Sequence, residues 1–365
     1  MHQRSRALLT VLITVLTVVL AVSLLTDAPA QARRKATRKP GWQPFAPAKP
    51  YHGDFPDPSV IRVGDRYIAH ATNTHGVTLP TLISANLKTW FARPATRNNP
   101  TGDGLLRTAS WSAATLKPGG RKAAEVWAPT VTRIRKNLYV LAYATRVRSH
   151  WRQRMCISVA TSRTPWGIFV DRTRRPLVCP RNGAIDPQVY KPRRGRPWLI
   201  WKVDRHPARI YTRAMNRRGT HLARHSRAHL LAKVAQRWEG GVVENPGLIR
   251  YRGRYYLFYS GNAYGTRHYA IGYLICRSLH GGCHRPRHRP LIASHGLLAG
   301  PGGAAPFVDR NGRLRLAYHA WRRGQVGYAE SPRCKWTKRG CPQRRLYVAT
   351  VRPRHNGRLV LVHRR

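Results

Sequence analysis

Residues 246–261 read Pro-Gly-Leu-Ile-Arg-Tyr-Arg-Gly-Arg-Tyr-Tyr-Leu-Phe-Tyr-Ser-Gly. Two short β-rich runs flank a turn at Arg252-Gly253, the pattern of an antiparallel hairpin. The same reading fits PSVIRVGDRYIAHAT from Pro58, PTVTRIRKNLYVLAYAT from Pro129, PQVYKPRRGRPWLIWK from Pro187 and PFVDRNGRLRLAYHAW from Pro306. The five prolines lie 71, 58, 59 and 60 residues apart. A third run follows in four copies, CISVATS from Cys156, RIYTRAM from Arg209, AIGYLIC from Ala270 and QVGYAES from Gln325, and segments of helical period are nearly absent. Period, strand count and copy number together predict an all-β chain, a five-bladed β-propeller over residues 51–365. An irregular β-sandwich leaves the even spacing unexplained. The longer first interval places an insertion between about Phe91 and Lys122, expected to form a long loop beside the site.

The chain has 365 residues, with 67 Lys+Arg against 13 Asp+Glu, a net charge of +54. Its 16 Tyr, 11 Trp and 42% hydrophobic content exclude a disordered basic tail protein. A basic start, an apolar run from Ala7 to Thr26 and Ala30-Gln31-Ala32 read as a secretory signal over 1–32, with an uncleaved anchor as the rival. Residues 33–50, basic and rich in Pro and Ala, read as a linker. The expected location is secreted or cell-wall associated. Six cysteines suit an oxidising compartment. Equal gaps suggest the pairs Cys276/Cys283 and Cys334/Cys341, leaving Cys156 with Cys179, although sequence alone permits other pairings.

Carboxylates are scarce, yet three stand at blade starts: Asp57 before Pro58, Asp186 before Pro187, and Glu244 two residues before Pro246. Inner strands of a propeller begin near the axis on one face, so these three acids are expected to share one central cavity. Inverting hydrolysis of a glycosidic bond needs such a set: an ionised carboxylate to activate water and a protonated carboxyl to deliver a proton to the leaving oxygen. A third acid can tune the donor. Singly, each Asp-Pro could be an ordinary turn.

On these motifs the chain resembles glycoside hydrolase family 43, five-bladed propellers acting on arabinan, arabinoxylan and xylo-oligosaccharides. The resemblance spans 51 to about 330 and implies Asp57 as general base, Asp186 as the residue that sets the donor's pKa, and Glu244 as general acid. Trp127, in Val126-Trp-Ala-Pro129, resembles the aromatic residue that packs on the sugar. Tyr264 is a further candidate for substrate contact, and His319 for facing the cavity from blade five. Many family members carry Gly-Pro-Gly-His where this chain has Gly300-Pro-Gly-Gly303, so the resemblance implies no cofactor and leaves an axial calcium in doubt.

The rival functional readings are a non-catalytic lectin and a polyanion-binding wall protein. A surface this basic is expected to bind polyanions incidentally. No basic helix or nucleic-acid signature accompanies the charge, and basic residues are spread over every blade, which is expected to leave them spread over the surface rather than forming one patch. The expected state is a monomer.

Overall fold

The computed structural model describes residues 50–362, apart from 75, 98, 100, 117–121, 149–153 and 329–340. The predicted signal, and all of the linker but Pro50, therefore lie outside the described residues, as do Trp151 and Cys334. Residues 50–362 belong to one compact unit, Phe45–Arg365.

Five antiparallel-built sheets repeat around a ring. Their inner strands are Ser59–Val63, Trp127–Arg135, Ala184–Tyr190, Glu244–Tyr251 and Leu298–Val308. Each inner strand turns into a second strand, and third and fourth strands follow outward. Every inner strand contacts those of both neighbouring blades, so the ring is closed. The backbone N–H of Phe55, at the entry to blade one, donates to the Arg344 carbonyl at 2.8 Å, joining blade one to the chain's last quarter.

Apolar side chains fill the gaps between blades. One buried cluster joins Ile200 of blade three to Leu248 and Leu257 of blade four, and another joins Tyr67 of blade one to Phe307 of blade five. Because both faces of a blade meet a neighbour, second strands are buried on both sides. Leu138–Arg146 is buried at all but its last residue, which explains why its sequence is nearly continuous in apolar residues rather than alternating. The described residues hold one short 3-10 turn, Arg237–Glu239.

Two expectations are corrected. Residues 325–328, the part of QVGYAES within the described residues, do not form the third strand of blade five. That strand is Arg345–Pro353, which pairs with Leu314–Arg322. The chain between them instead carries Tyr328 and Arg344 to the central cavity. The insertion after Phe91 is not a loop beside the site either. Leu105–Arg107 pairs in parallel with Phe169–Asp171 and becomes the outermost strand of blade two, while Ala114–Leu116 pairs with Lys122–Ala124. Its described residues do not line the cavity.

Disulfides join Cys156 to Cys179 and Cys276 to Cys283. The second links directly opposed residues of the third and fourth strands of blade four. Cys341 is also disulfide-bonded; its expected partner, Cys334, lies outside the described residues.

Candidate active site

The five inner strands start in the same way. Asp57, Ala128, Asp186, Asn245 and Gly303 all have left-handed backbones, with φ of 49°, 42°, 55°, 52° and 64°. In blades two to five the register slips at this point, a bulge that re-aims the side chain. Asp, Asn and Gly tolerate this conformation best, which accounts for four of the five residues. The repeat also shows that Glu244 is not the counterpart of Asp57 and Asp186. Asn245 is, and Glu244 matches Trp127 and Ile185, one residue earlier. The three acids therefore enter from two registers of the ring, and they meet in one cavity of about 660 Å³.

Asp57 is held on both oxygens. Its Oδ2 accepts from the Thr72 hydroxyl at 2.7 Å, and its Oδ1 accepts from Asn245 Nδ2 at 3.1 Å and Arg344 Nη1 at 3.3 Å. Burial raises its carboxyl, but the Arg344 guanidinium and these hydrogen bonds prevail and hold it below the usual carboxylate range. Arg344 is itself buried; its Nε donates to the Tyr328 hydroxyl at 2.9 Å and its guanidinium lies 5.1 Å from the Tyr264 ring centroid. Burial disfavours its charge, yet Asp57 more than offsets this and its pKa is raised. A fourth acid, Asp54, also lines the cavity and accepts from the Arg344 backbone N–H at 2.7 Å.

Asp186 behaves in the opposite way. Its Oδ2 accepts from the Asn245 backbone N–H at 2.9 Å, but burial and the Glu244 charge push its carboxyl up to about 8. Asn245 thus touches both aspartates, one through its backbone and one through its side chain. Glu244 is gripped on each oxygen, by Lys202 Nζ at 2.9 Å and by the Tyr269 hydroxyl at 2.8 Å. Lys202 reaches Asp204 as well, at 3.3 Å. Burial lowers its ammonium, but Glu244 and Asp186 together raise it further, so it stays charged. Glu244 is therefore set against a cation and a phenol, while the neighbouring Val243 is turned into the core.

Trp127 is 36% exposed and Tyr264 50% exposed, and both line the cavity. Large aromatic faces in such a place are suited to stacking on a sugar ring. His319 does not face the cavity. It is fully buried behind Asp57, and its Nδ1 accepts from the Asp57 backbone N–H at 2.9 Å. Burial and Arg344 push its imidazole down to about 3, so it is neutral and supports the Asp57 backbone. Trp201 and Trp321 are core residues, and Trp111 bonds Thr173.

The residues present do not fit an axial calcium. Among the described residues no group of three His, Cys, Asp or Glu side chains could hold a metal. A Cβ on Gly303 would lie 2.7 Å from His319 Nδ1 and 3.1 Å from the Asp57 Cα, so a histidine there has no room.

Sequence reading did not find Thr72, Lys202, Tyr269 or Arg344. A signal for the first two existed: Thr72, Ala144, Lys202, Ser260 and His319 each close the second-strand repeat and lie opposite an inner-strand entry. No local signal marked Arg344.

No curated protein sequence matches the chain. Structures similar to it include a thermostable family-43 glycoside hydrolase, with a TM-score of 0.67 and 21% identity over 88% of this chain and 96% of that one. An endo-1,4-beta-xylanase from Bacteroides thetaiotaomicron gives 0.66 and 23% over 87% and 97%. An alpha-L-arabinanase of Cellvibrio cellulosa, solved with arabinohexaose, gives 0.62 and 17% over 86% and 96%. These likenesses are likenesses of fold. The family model for glycosyl hydrolases family 43 matches residues 49–344, from just before the first blade to the arginine that holds Asp57, and the chain belongs to that family.

Proposed function

We propose that this glycosidase is an exported, inverting enzyme that cleaves arabinose- or xylose-containing polysaccharides or oligosaccharides. The observation that carries the reading is the opposite treatment of two aspartates in one cavity. Asp57 is held ionised, as a base must be to take a proton from the attacking water. Asp186 holds a proton beside Glu244. Buried beside the Glu244 charge, Asp186 cannot ionise cheaply, so it keeps its proton at neutral pH. In this reading the glycosidic oxygen takes the place of Lys202 against Glu244, and the Asp186 proton moves to Glu244 for delivery to the leaving group. Asp186 then becomes the anion and Lys202 remains to balance it. Trp127 and Tyr264 supply the faces on which the sugar lies.

Xylan and arabinan are favoured as substrates because similar folds include the xylanase and the arabinanase solved with arabinohexaose. Export is favoured by the apolar run from Ala7 to Thr26 ahead of Ala30-Gln31-Ala32 and by the disulfides. The test is hydrolysis of aryl arabinofuranosides, aryl xylosides and linear arabinan, with the anomer of the first sugar released followed by NMR. Inverted configuration is expected. Retention, or no hydrolysis of any of the three, overturns the reading.

A further inference from the structure

The inner strands of blades one to four start at or beside residues that line the cavity, and that of blade five passes Gly303 beside Asp57. All five therefore end at the opposite face of the ring, and the turns that follow them gather there. Contacts between successive turns show this. The Tyr251 hydroxyl of blade four donates to the Gly312 carbonyl of blade five at 3.0 Å, and the Arg310 N–H of blade five donates to the Tyr67 hydroxyl of blade one at 3.0 Å. Between blades three and four, the Tyr190 and Tyr255 rings meet edge to face at 6.1 Å.

These turns read RVGDR (62–66), RIRKN (133–137), KPRRGR (191–196), RYRGR (250–254) and DRNGR (309–313). Each holds at least two basic residues, and Arg62, Arg135, Arg194, Arg252 and Arg310 are all exposed. Of the two acids present, Asp309 is buried and accepts from the N–H groups of its own turn, at Asn311 and Arg313. The topology thus gathers part of the charge that is spread along the sequence, the turn residues of all five blades, onto one face.

We propose that this turn face binds an acidic polysaccharide whose repeated uronate carboxylates pair with the exposed guanidiniums, mooring the enzyme with its cavity directed away from the bound strand. The planar fork of arginine matches a carboxylate bidentately. A ring of such groups, contributed by all five blades, suits an extended polyanion better than a compact ligand. That the polyanion is a glycan rests on the proposed function: a matrix polysaccharide brings a glycosidase to its substrate. The anionic contact itself does not depend on that reading.

The experiment uses the whole chain and measures its binding to polygalacturonate, neutral arabinan and duplex DNA across a salt series. The triple variant Arg135→Ser, Arg194→Ser, Arg310→Ser is compared with Arg172→Ser, Arg174→Ser, Arg175→Ser, an equal loss of exposed charge on the connection between blades two and three. The first triple is expected to weaken polygalacturonate binding roughly tenfold or more at low salt and to flatten its salt dependence, because each ionic contact contributes to the slope. It should leave aryl-glycoside hydrolysis unchanged, and the second triple should weaken binding far less. Equal weakening by both triples, or binding insensitive to salt, overturns the proposal. So does tighter binding of DNA than of polygalacturonate at the same salt, which makes nucleic acid the partner. An inactive but polygalacturonate-binding enzyme counts against the proposed function alone.

Discussion

Asp57 and Asp186 stand at the same backbone position in blades one and three. Both are left-handed, at φ 49° and 55°, both precede proline, and both face one cavity. Burial acts on the two carboxyls in the same direction, yet one is held down and the other rises to about 8. The difference comes from the side chains that folding brings to each carboxyl. Arg344, Thr72 and the Asn245 side chain favour the Asp57 anion, whereas Asp186 meets the negative charge of Glu244. Local sequence builds the mould twice, and tertiary neighbours decide which copy becomes the base.

Removing the ionised copy should do the most damage. Asp57→Asn leaves the water unactivated, and kcat/KM should fall by about 10²- to 10⁴-fold on natural and activated substrates alike. An Asp57→Asn enzyme as active as the parent on both would reverse the assignment. Glu244→Gln should lose polymeric substrates to a similar extent but keep appreciable activity on an aryl glycoside whose leaving group departs unaided. Equal loss on both would remove Glu244 from the donor's role.

Arg344→Gln attacks the contrast itself. Without the guanidinium, burial dominates at Asp57 and its carboxyl rises, so the acid limb of the pH profile should move to higher pH. Stability should fall too. A depressed carboxyl stabilises the fold above its unfolded pKa and loses that contribution as pH falls through the folded one. Breaking such a buried pair typically costs about 3–5 kcal/mol, so thermal unfolding at neutral pH should show a clear drop in Tm. An unshifted acid limb would mean that Arg344 does not set the charge of Asp57.

Asp186→Asn should give the reverse sign. A carboxyl raised from 3.8 to about 8 keeps its proton in the fold where the unfolded chain has lost it, so wild-type stability falls as pH rises through that window. The Tm of the variant relative to wild type should therefore increase between pH 4 and pH 8, while its activity drops. A constant difference across that range would show that Asp186 is ionised in the fold.

The propeller was legible because each blade must make a hairpin, and a hairpin leaves its turn in the sequence. Blade five was misread at its third strand because QVGYAES has strand composition, while pairing selects Arg345–Pro353. The acids were legible through their place before proline. The offset of Glu244 was not, because the bulge that puts Asn245 in register with Asp57 and Asp186 is a property of pairing, not of composition. Lys202 and Arg344 look like two more basic residues among 67. Only folding shows that they are buried against Glu244 and Asp57.

The smallest expected effect falls on the residue that touches both aspartates. Asn245 must keep a left-handed backbone, so alanine there would confuse strain with the loss of a contact. Glycine adopts φ near 52° freely. Asn245→Gly should therefore keep the turn and the backbone N–H that reaches Asp186 at 2.9 Å, and delete only the side-chain hydrogen bond to Asp57 at 3.1 Å. A hydrogen bond to a charged group contributes about 1.5–3 kcal/mol, part of which here favours the Asp57 anion. Its loss should move the acid limb of kcat/KM upward by about one pH unit or somewhat more. Because Arg344 and Thr72 still hold the base, activity at the optimum should fall by less than about tenfold on the general acid–base scale. The Asp186 contrast should survive, so adding Asp186→Asn to this variant should reproduce the same pH-dependent gain in Tm. A limb shift without that gain would show that the raised Asp186 depends on the Asn245 side chain as well as on burial and the Glu244 charge.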